Sequence, residues 1–274
     1  VLSIIIPANN EAAHIGACLS ALLASTGPDG VQVIVAANGC SDATVALAEA
    51  FHSQAEAQGW QLSVMDLPAL GKIGTLNAAD EAARFGSRVY LDADVVVEPD
   101  LMAQLFDALD QEAPVYASGQ LQLAPAQSWT TRAYARIYAR VPFVTDGVPG
   151  AGLFAVNAAG RTRWAEFPDI ISDDTFVRLS FAPNERIGVP AGYSWPLVEG
   201  FSNLVRVRRR QNAGVAQVGA LFADLIHNDD KHSLGISGIA KLAMSDPLGF
   251  AIYGGVSLMV KLRPQQGTDW ERGR

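Results

Sequence analysis

The residues best equipped for chemistry stand at Leu91-Asp92-Ala93-Asp94, directly after the apolar pair Val89-Tyr90. A run of β-favouring apolar residues ending in two carboxylates reads as a buried strand that stops at a polar edge. On an extended chain residues i and i+2 face one side, so Asp92 and Asp94 are expected to share one space. Two hard oxygen donors so placed suit Mg²⁺ or Mn²⁺, ions that keep waters and take phosphate oxygens as further ligands. Strand ends are also where α/β sheets bind ligands. Taken alone, an Asp-x-Asp reads more simply as punctuation at the end of a strand. The other strand ends shift that balance.

Those ends follow from the chain in order. Leu2 to Ile6 is an apolar strand stopped at Pro7-Ala8-Asn9-Asn10-Glu11, and a helix follows with Ile15, Cys18, Leu19, Leu22 and Leu23 on its apolar face. Val31 to Val35 is a second strand, leading to Ala37-Asn38-Gly39-Cys40-Ser41-Asp42 and a helix from about Ala43 to Ala57, with Ser41 or Asp42 as its N-cap. Leu62 to Met65 is a third strand, and Gly71-Lys72 opens a helix reaching Ala83. Alternation of apolar strands and helices predicts a parallel sheet covered on both faces, with the four polar turns gathered at one edge. Pro7–Glu11, Asn38–Asp42, Gly71–Lys72 and Asp92–Asp94 should therefore be neighbours.

The second half is less regular. Pro99 to Leu109 reads as a helix, Val115 to Leu123 as a strand and Ser128 to Ala139 as a helix. Gly150-Ala151-Gly152 is a turn entering the strand Leu153 to Val156, Asp173-Asp174 open a helix, and Arg186 to Pro190 is a short strand. A Trp/Pro loop and the run Arg206-Val207-Arg208-Arg209-Arg210 follow. No break is sharp enough to cut two independent domains. The organisation expected is a half over residues 1–112 ending in the Asp-x-Asp segment, a second half over 113–233, and a C-terminal extension over 234–274.

Composition bounds the function. Of 274 residues 49% are hydrophobic and 18% charged, enough apolar material for a substantial core. A formal charge of −8 argues against general nucleic-acid binding, which needs a basic footprint. Two cysteines make no disulfide framework, which fits a reducing cytoplasm, and Cys18 is expected in the core. No signal-peptide pattern is visible, and because Val1 enters a strand almost at once, residues are expected before it. The uncharged stretch Leu248 to Val260 is shorter than the ~20 residues of a spanning helix. It is expected to be core, the alternative being a position on a membrane surface.

With the turns in view, the chain resembles the family 2 glycosyltransferases of the inverting type, whose fold is GT-A: an α/β architecture with a mostly parallel, Rossmann-like nucleotide-binding sheet and a smaller mixed acceptor-binding half. Ser3 to Glu11 is similar to the family's opening strand and Pro-x-x-Asn-Glu turn. Val33 to Thr44 is similar to its second strand and acidic Gly-Ser turn, and Gly71 to Asn77 to its Gly-Lys-x-x-Ala-Leu-Asn segment. Leu91 to Asp94 resembles the metal motif.

The resemblance implies donor-binding roles for Pro7, Ala8, Asn9, Glu11, Asn38, Lys72, Asp92, Ala93 and Asp94, with Mn²⁺ or Mg²⁺ on Asp94 and Asp92. The family has acids where Ala37 and Asn38 stand, and an Asn both donates and accepts, which leaves the base open. Each position also has a plainer reading: an ordinary turn at Asn38-Gly39, a helix-favouring acid at Glu11, a solvated lysine at Lys72. Gly150, Ala151 and Gly152 match an acceptor-side loop, or form a simple turn. Asp173-Asp174 match an acidic pair whose second member is the catalytic base, with helix capping as the alternative. Arg208 and Arg210 match two positions of a motif of processive polysaccharide synthases whose Gln and Trp are absent here. They would grip a diphosphate, or else form a basic surface facing acidic lipids. His227 and His232 read as surface histidines.

The activity implied is metal-dependent, inverting transfer of a sugar from a nucleotide-sugar, a UDP-sugar first, to a hydroxyl acceptor. The family's acceptors include lipid-linked and polysaccharide ones of the cell envelope. The location implied is cytoplasmic, with peripheral contact to the cytoplasmic membrane as a further option. Oligomeric state is open. Among rivals, a nucleotidyltransferase would need a glycine-rich basic loop after the first strand, and a Rossmann oxidoreductase Gly-x-Gly-x-x-Gly; Pro7–Glu11 is neither. A non-catalytic GT-A-like scaffold that binds nucleotide is the remaining alternative.

Overall fold

Near-continuous apolar strands buried on both faces build a parallel sheet, and this is how the computed structural model begins. It describes residues 1–230 and 232–262, so residues 263–274 of the expected C-terminal extension lie outside the described residues, as does Lys231. In order, β1 (Leu2–Ala8), α1 (Ile15–Leu23), β2 (Gln32–Asn38), α2 (Thr44–Glu49), α3 (His52–Ala57), β3 (Gln61–Leu67), α4 (Gly71–Ala82) and β4 (Ser87–Leu91) make the first half. The short strand β5 (Val96–Val97) and α5 (Leu101–Leu109) follow. Beyond them come β6 (Tyr116–Leu123), α6 (Trp129–Tyr138), α7 (Pro142–Thr145), β7 (Leu153–Val156), α8 (Ala158–Arg161) and α9 (Asp173–Leu179). The chain continues through β8 (Arg186–Trp195), α10 (Phe201–Leu221), α11 (Ile236–Ser245) and α12 (Pro247–Leu262).

One sheet of order β3-β2-β1-β4-β7-β6-β8-β5 runs through the molecule. Its first four strands are parallel, as alternation predicts. β7 then pairs antiparallel with both β4 and β6, so the second half continues the same sheet. Alternation within β1 sends Ile4 and Ile6 to one core with Leu19 and Leu105, and Ile5 to another with Leu76 and Val177. A third cluster joins Tyr134 and Tyr138 of α6, Leu204 and Val205 of α10, and Val256 and Val260 of α12.

Several local expectations are corrected. The helix expected over 43–57 is two, interrupted at Ala50-Phe51, and the N-cap of α2 is Ala43; the Asp42 carboxylate instead accepts from Thr44 N at 3.0 Å. The strand expected to stop at Pro190 runs on to Trp195 along β6, because its far end finds a partner that local sequence does not announce. The apolar stretch expected as core is half so: α12 buries Gly249, Val256 and Val260, while Leu248 and Leu258 remain exposed.

Candidate active site

The four turns do meet, and side chains tie each to the next. Asn9 Nδ2 donates to Asn38 O, and Asn10 Oδ1 accepts from Ser41 N at 2.7 Å, which laces the first turn to the second. Asn38 Oδ1 accepts from Leu70 N at 2.7 Å, joining the second turn to the third. Lys72 Nζ lies 3.5 Å from the Asp92 carboxylate, joining the third to the fourth. Gly39 is required in this lattice: its φ is +56°, and a Cβ there would stand 2.8 Å from that of Ala69.

The turns form one side of a cavity of about 460 Å³, lined by Pro7, Ala8, Asn9, Glu11, Asn38, Lys72, Asp92, Ala93 and Asp94, nine of the expected donor-side residues. Arg208 and Arg210, both on α10, line it as well. The reason Asp92 and Asp94 come together differs from the expectation. The chain leaves β4 at Leu91 and turns, with Val95 N donating to Asp92 O at 3.1 Å, so strand alternation does not operate there. A turn, held from behind by Asp92 N donating to Gly152 O at 2.8 Å, presents both carboxylates to the cavity.

Asp173 and Asp174 stand just outside that lining, behind Lys72. Lys72 Nζ is 3.0 Å from Asp173 Oδ1, and the lysine side chain is only 27% exposed. Burial works against the ammonium, but the carboxylates of Asp173, Asp92 and Asp174 outweigh it and hold Lys72 above the usual lysine range. Burial raises the Asp174 carboxyl, Asp173 adds to the rise, and Lys72 pulls it back. Burial lowers Arg210, and Asp92, Asp173 and Asp174 oppose that. The site is thus a cluster of four carboxylates, Asp92, Asp94, Asp173 and Asp174, met by Lys72 and Arg210.

Gly150 and Gly152 answer first to packing. Gly150 has φ +64°, and a Cβ there would come within 1.7 Å of Tyr116 Oη. Gly150, Ala151 and Gly152 are not among the cavity-lining residues; they support the Asp92 turn and receive the Tyr193 hydroxyl on Ala151 O at 2.8 Å.

The opposite wall was not singled out from sequence. Tyr134, Tyr138 and Trp195 contribute rings, and Leu197, Val198, Leu204 and Val207 aliphatic surface. Tyr134 and Tyr138 are i, i+4 on α6, a spacing that reads equally as plain core. Arg208 is sandwiched there, donating to Tyr134 Oη at 2.7 Å and lying over the rings of Tyr138 and Tyr253. Cys18 is buried as expected, its thiol pushed up to about 12 by burial. His227 and His232 are exposed, also as expected.

The family model described as Glycosyl transferase family 2 matches residues 3–165, which span β1 to α8 and every strand-end turn of the cavity. The chain is a family 2 glycosyltransferase. No curated protein matches it. Among solved structures, this glycosyltransferase is similar to the mannosyltransferase PcManGT from Pyrobaculum calidifontis in complex with GDP-Man and Mn²⁺ (18% identity, 97% of this chain and 76% of that one, TM-score 0.59). It is similar to S. aureus TarS 1-349 in complex with UDP-GlcNAc (13%, 94% and 81%, TM-score 0.53). It also resembles glucosyl-3-phosphoglycerate synthase from Mycobacterium tuberculosis in complex with Mn²⁺, UDP and glucosyl-3-phosphoglycerate (17%, 80% and 79%, TM-score 0.51). These likenesses show the shared GT-A fold.

Whether a divalent ion suits this glycosyltransferase turns on its donor set. Among the described residues no group of three or more His, Cys, Asp or Glu is disposed to hold one. Asp92 and Asp94, two residues apart on one turn, offer two hard carboxylates at the cavity, which suits an ion completing its shell with phosphate oxygens and water.

Proposed function

We propose that this glycosyltransferase moves a sugar, with inversion, from a nucleotide-sugar to a hydroxyl acceptor. The observation that carries the proposal is the cavity itself: tied strand-end turns and the Asp92-Ala93-Asp94 turn on one side, arginines and aromatic rings on the other, and Asp173-Asp174 behind Lys72. The nucleotide would lie against Pro7 to Glu11 and Asn38. Asn9 Oδ1 is buried without a hydrogen-bond partner in the protein, because Nδ2 is committed to Asn38 O. The family resemblance puts a UDP-sugar first as donor, and Asn38, which both donates and accepts where the family has an acid, leaves the base open. The neighbours crystallised with UDP-GlcNAc and with GDP-Man leave uracil and guanine as the bases to compare.

Asp94 and Asp92 would hold Mn²⁺ or Mg²⁺, as the PcManGT complex with Mn²⁺ suggests by analogy; when bound, the ion supplies positive charge to the diphosphate. Arg210 faces the carboxylates from α10 and suits the same diphosphate through its forked donors. Asp174 acts as general base. Ionised, it takes the proton of the acceptor hydroxyl as that oxygen bonds to the anomeric carbon from the face opposite the diphosphate, whose bond to that carbon breaks so that the nucleoside diphosphate leaves. Its raised carboxyl makes it a stronger base than an exposed aspartate. Asp173 is a positioning residue that holds Lys72 at 3.0 Å. The apolar and aromatic wall suits an acceptor with an apolar portion, such as a lipid-linked one.

The test is calorimetric titration of UDP, GDP and dTDP, with and without Mn²⁺, on the wild type and Asp94→Ala. Metal-dependent binding of UDP, lost in the variant, is expected. Preference for GDP would overturn the UDP-sugar reading, unchanged affinity in Asp94→Ala the metal role, and binding of none would leave a GT-A scaffold without donor chemistry.

A further inference from the structure

The last two helices carry apolar side chains that nothing among the described residues covers. α11 buries none of its residues, and Ile236 and Met244 are 88% and 75% exposed, with Ile239 exposed between them. Their spacing sets all three on one stripe. On α12, Gly249, Val256 and Val260 are buried, Val256 and Val260 in the cluster shared with α6 and α10. Leu248, Leu258 and Leu262 fall on the opposite stripe by helical spacing, the last two 57% and 66% exposed. Unpartnered apolar surface of this extent marks an interaction site.

Charge decides the partner. The chain is −8 overall, yet α6, α11 and α12 contain no acid. α6 carries Arg132 and Arg136, with Arg140 just past its end; α11 carries Lys241 and α12 Lys261. Asp246, between α11 and α12, is paired with Arg136 at 2.6 Å, and Arg140 donates to Ser245 at 3.0 Å. These contacts fix α6 to the α11–α12 junction, so the apolar stripes and the cations belong to one region. A second copy of the chain would bring like charges together. Anionic lipid headgroups complement the cations, and the bilayer beneath them accepts the apolar stripes. No helix among the described residues is long and apolar enough to cross a membrane, so these would lie in its plane.

We propose that α11 and α12 dock the enzyme on an anionic lipid bilayer, their exposed apolar stripes inserted and Arg132, Lys241 and Lys261 against the headgroups. The inference stands on the fold and does not depend on the donor or on the base. It has a consequence for the acceptor: α6 also carries Tyr134 and Tyr138, so the apolar wall of the cavity lies one helix away from the docked surface.

Flotation of the full chain with phosphatidylcholine vesicles, with and without phosphatidylglycerol, tests this. Flotation with the phosphatidylglycerol vesicles, weakened by salt, is expected, and little with phosphatidylcholine alone. The double variant Met244→Asp/Leu258→Asp, at exposed positions, should partition about tenfold or more less well. Lys241→Glu/Lys261→Glu should lose the preference for phosphatidylglycerol while keeping the wild-type melting temperature and nucleotide affinity. Wild-type protein that stays at the bottom of the gradient overturns the proposal, as does equal flotation of the first double variant. A wild-type dimer in light scattering that Met244→Asp converts to monomer would assign the surface to a second copy instead.

Discussion

Lys72 carries the electrostatics of the site. One ammonium contacts the turn that would meet the donor, through Asp92, and the acidic pair behind it, through Asp173. Because Lys72 pulls the Asp174 carboxyl down against burial and Asp173, removing its charge should let that carboxyl rise further. A base works only when ionised, so its rate is lost as pH falls through its pKa. In Lys72→Met the acidic limb of the pH–rate profile should therefore move to higher pH; a limb that stays in place or moves down contradicts the coupling. Asp174→Asn, which cannot take the proton, should retain UDP affinity and lose turnover by about 10²–10⁴-fold. Turnover near wild type in that variant would rule Asp174 out as the base.

At the scale of elements, the carboxylates are positioned by what lies behind their turn. Gly150 and Gly152 let the loop before β7 pass close to Tyr116 and Trp195, and Gly152 O receives the Asp92 amide. Gly150→Ala would put a methyl group against the buried Tyr116 hydroxyl at positive φ, so about 2–4 kcal/mol of destabilisation is expected. A denaturant midpoint unchanged from wild type would show that the loop has room the structure does not display. β4 is held from its other side too: Asp80 of α4 accepts from Arg88 Nε at 2.9 Å and from the Tyr90 hydroxyl at 2.8 Å, and Arg161 of α8 pairs with the same carboxylate. A buried charge met by three side chains fixes α4, β4 and α8 in one geometry.

Across the whole molecule, one sheet spans the boundary expected between residues 112 and 113, and α12 reaches back to underpin the cavity. Val256 and Val260 pack in the cluster that holds Tyr134 and Tyr138, and the Tyr253 hydroxyl accepts from Arg208 at 3.3 Å. Ending the chain after Ser233 should therefore lower the melting temperature and weaken acceptor-side activity, while the sheet and the Asp92–Asp94 turn persist. A truncated chain as stable and active as the full one would show that α12 contributes nothing to the wall.

The places of the four strand-end turns were legible in the sequence, because parallel strands read as apolar runs and each must end in a polar turn at the same edge; the nine residues that the resemblance put at the donor line the cavity those turns form. The helix opening at Asp173-Asp174 was legible too, while their part in catalysis rests on the resemblance and is proposed. Three things waited for the tertiary structure. The approach of Asp92 to Asp94 comes from a turn pinned by Gly152, far along the chain, and not from strand alternation. The aromatic wall combines α6, the end of β8 and α10, whose residues look like ordinary core until long-range packing brings them together. The last helices read as core because hydropathy records which side chains avoid water; only packing shows that one face of α12 is covered and the other is not.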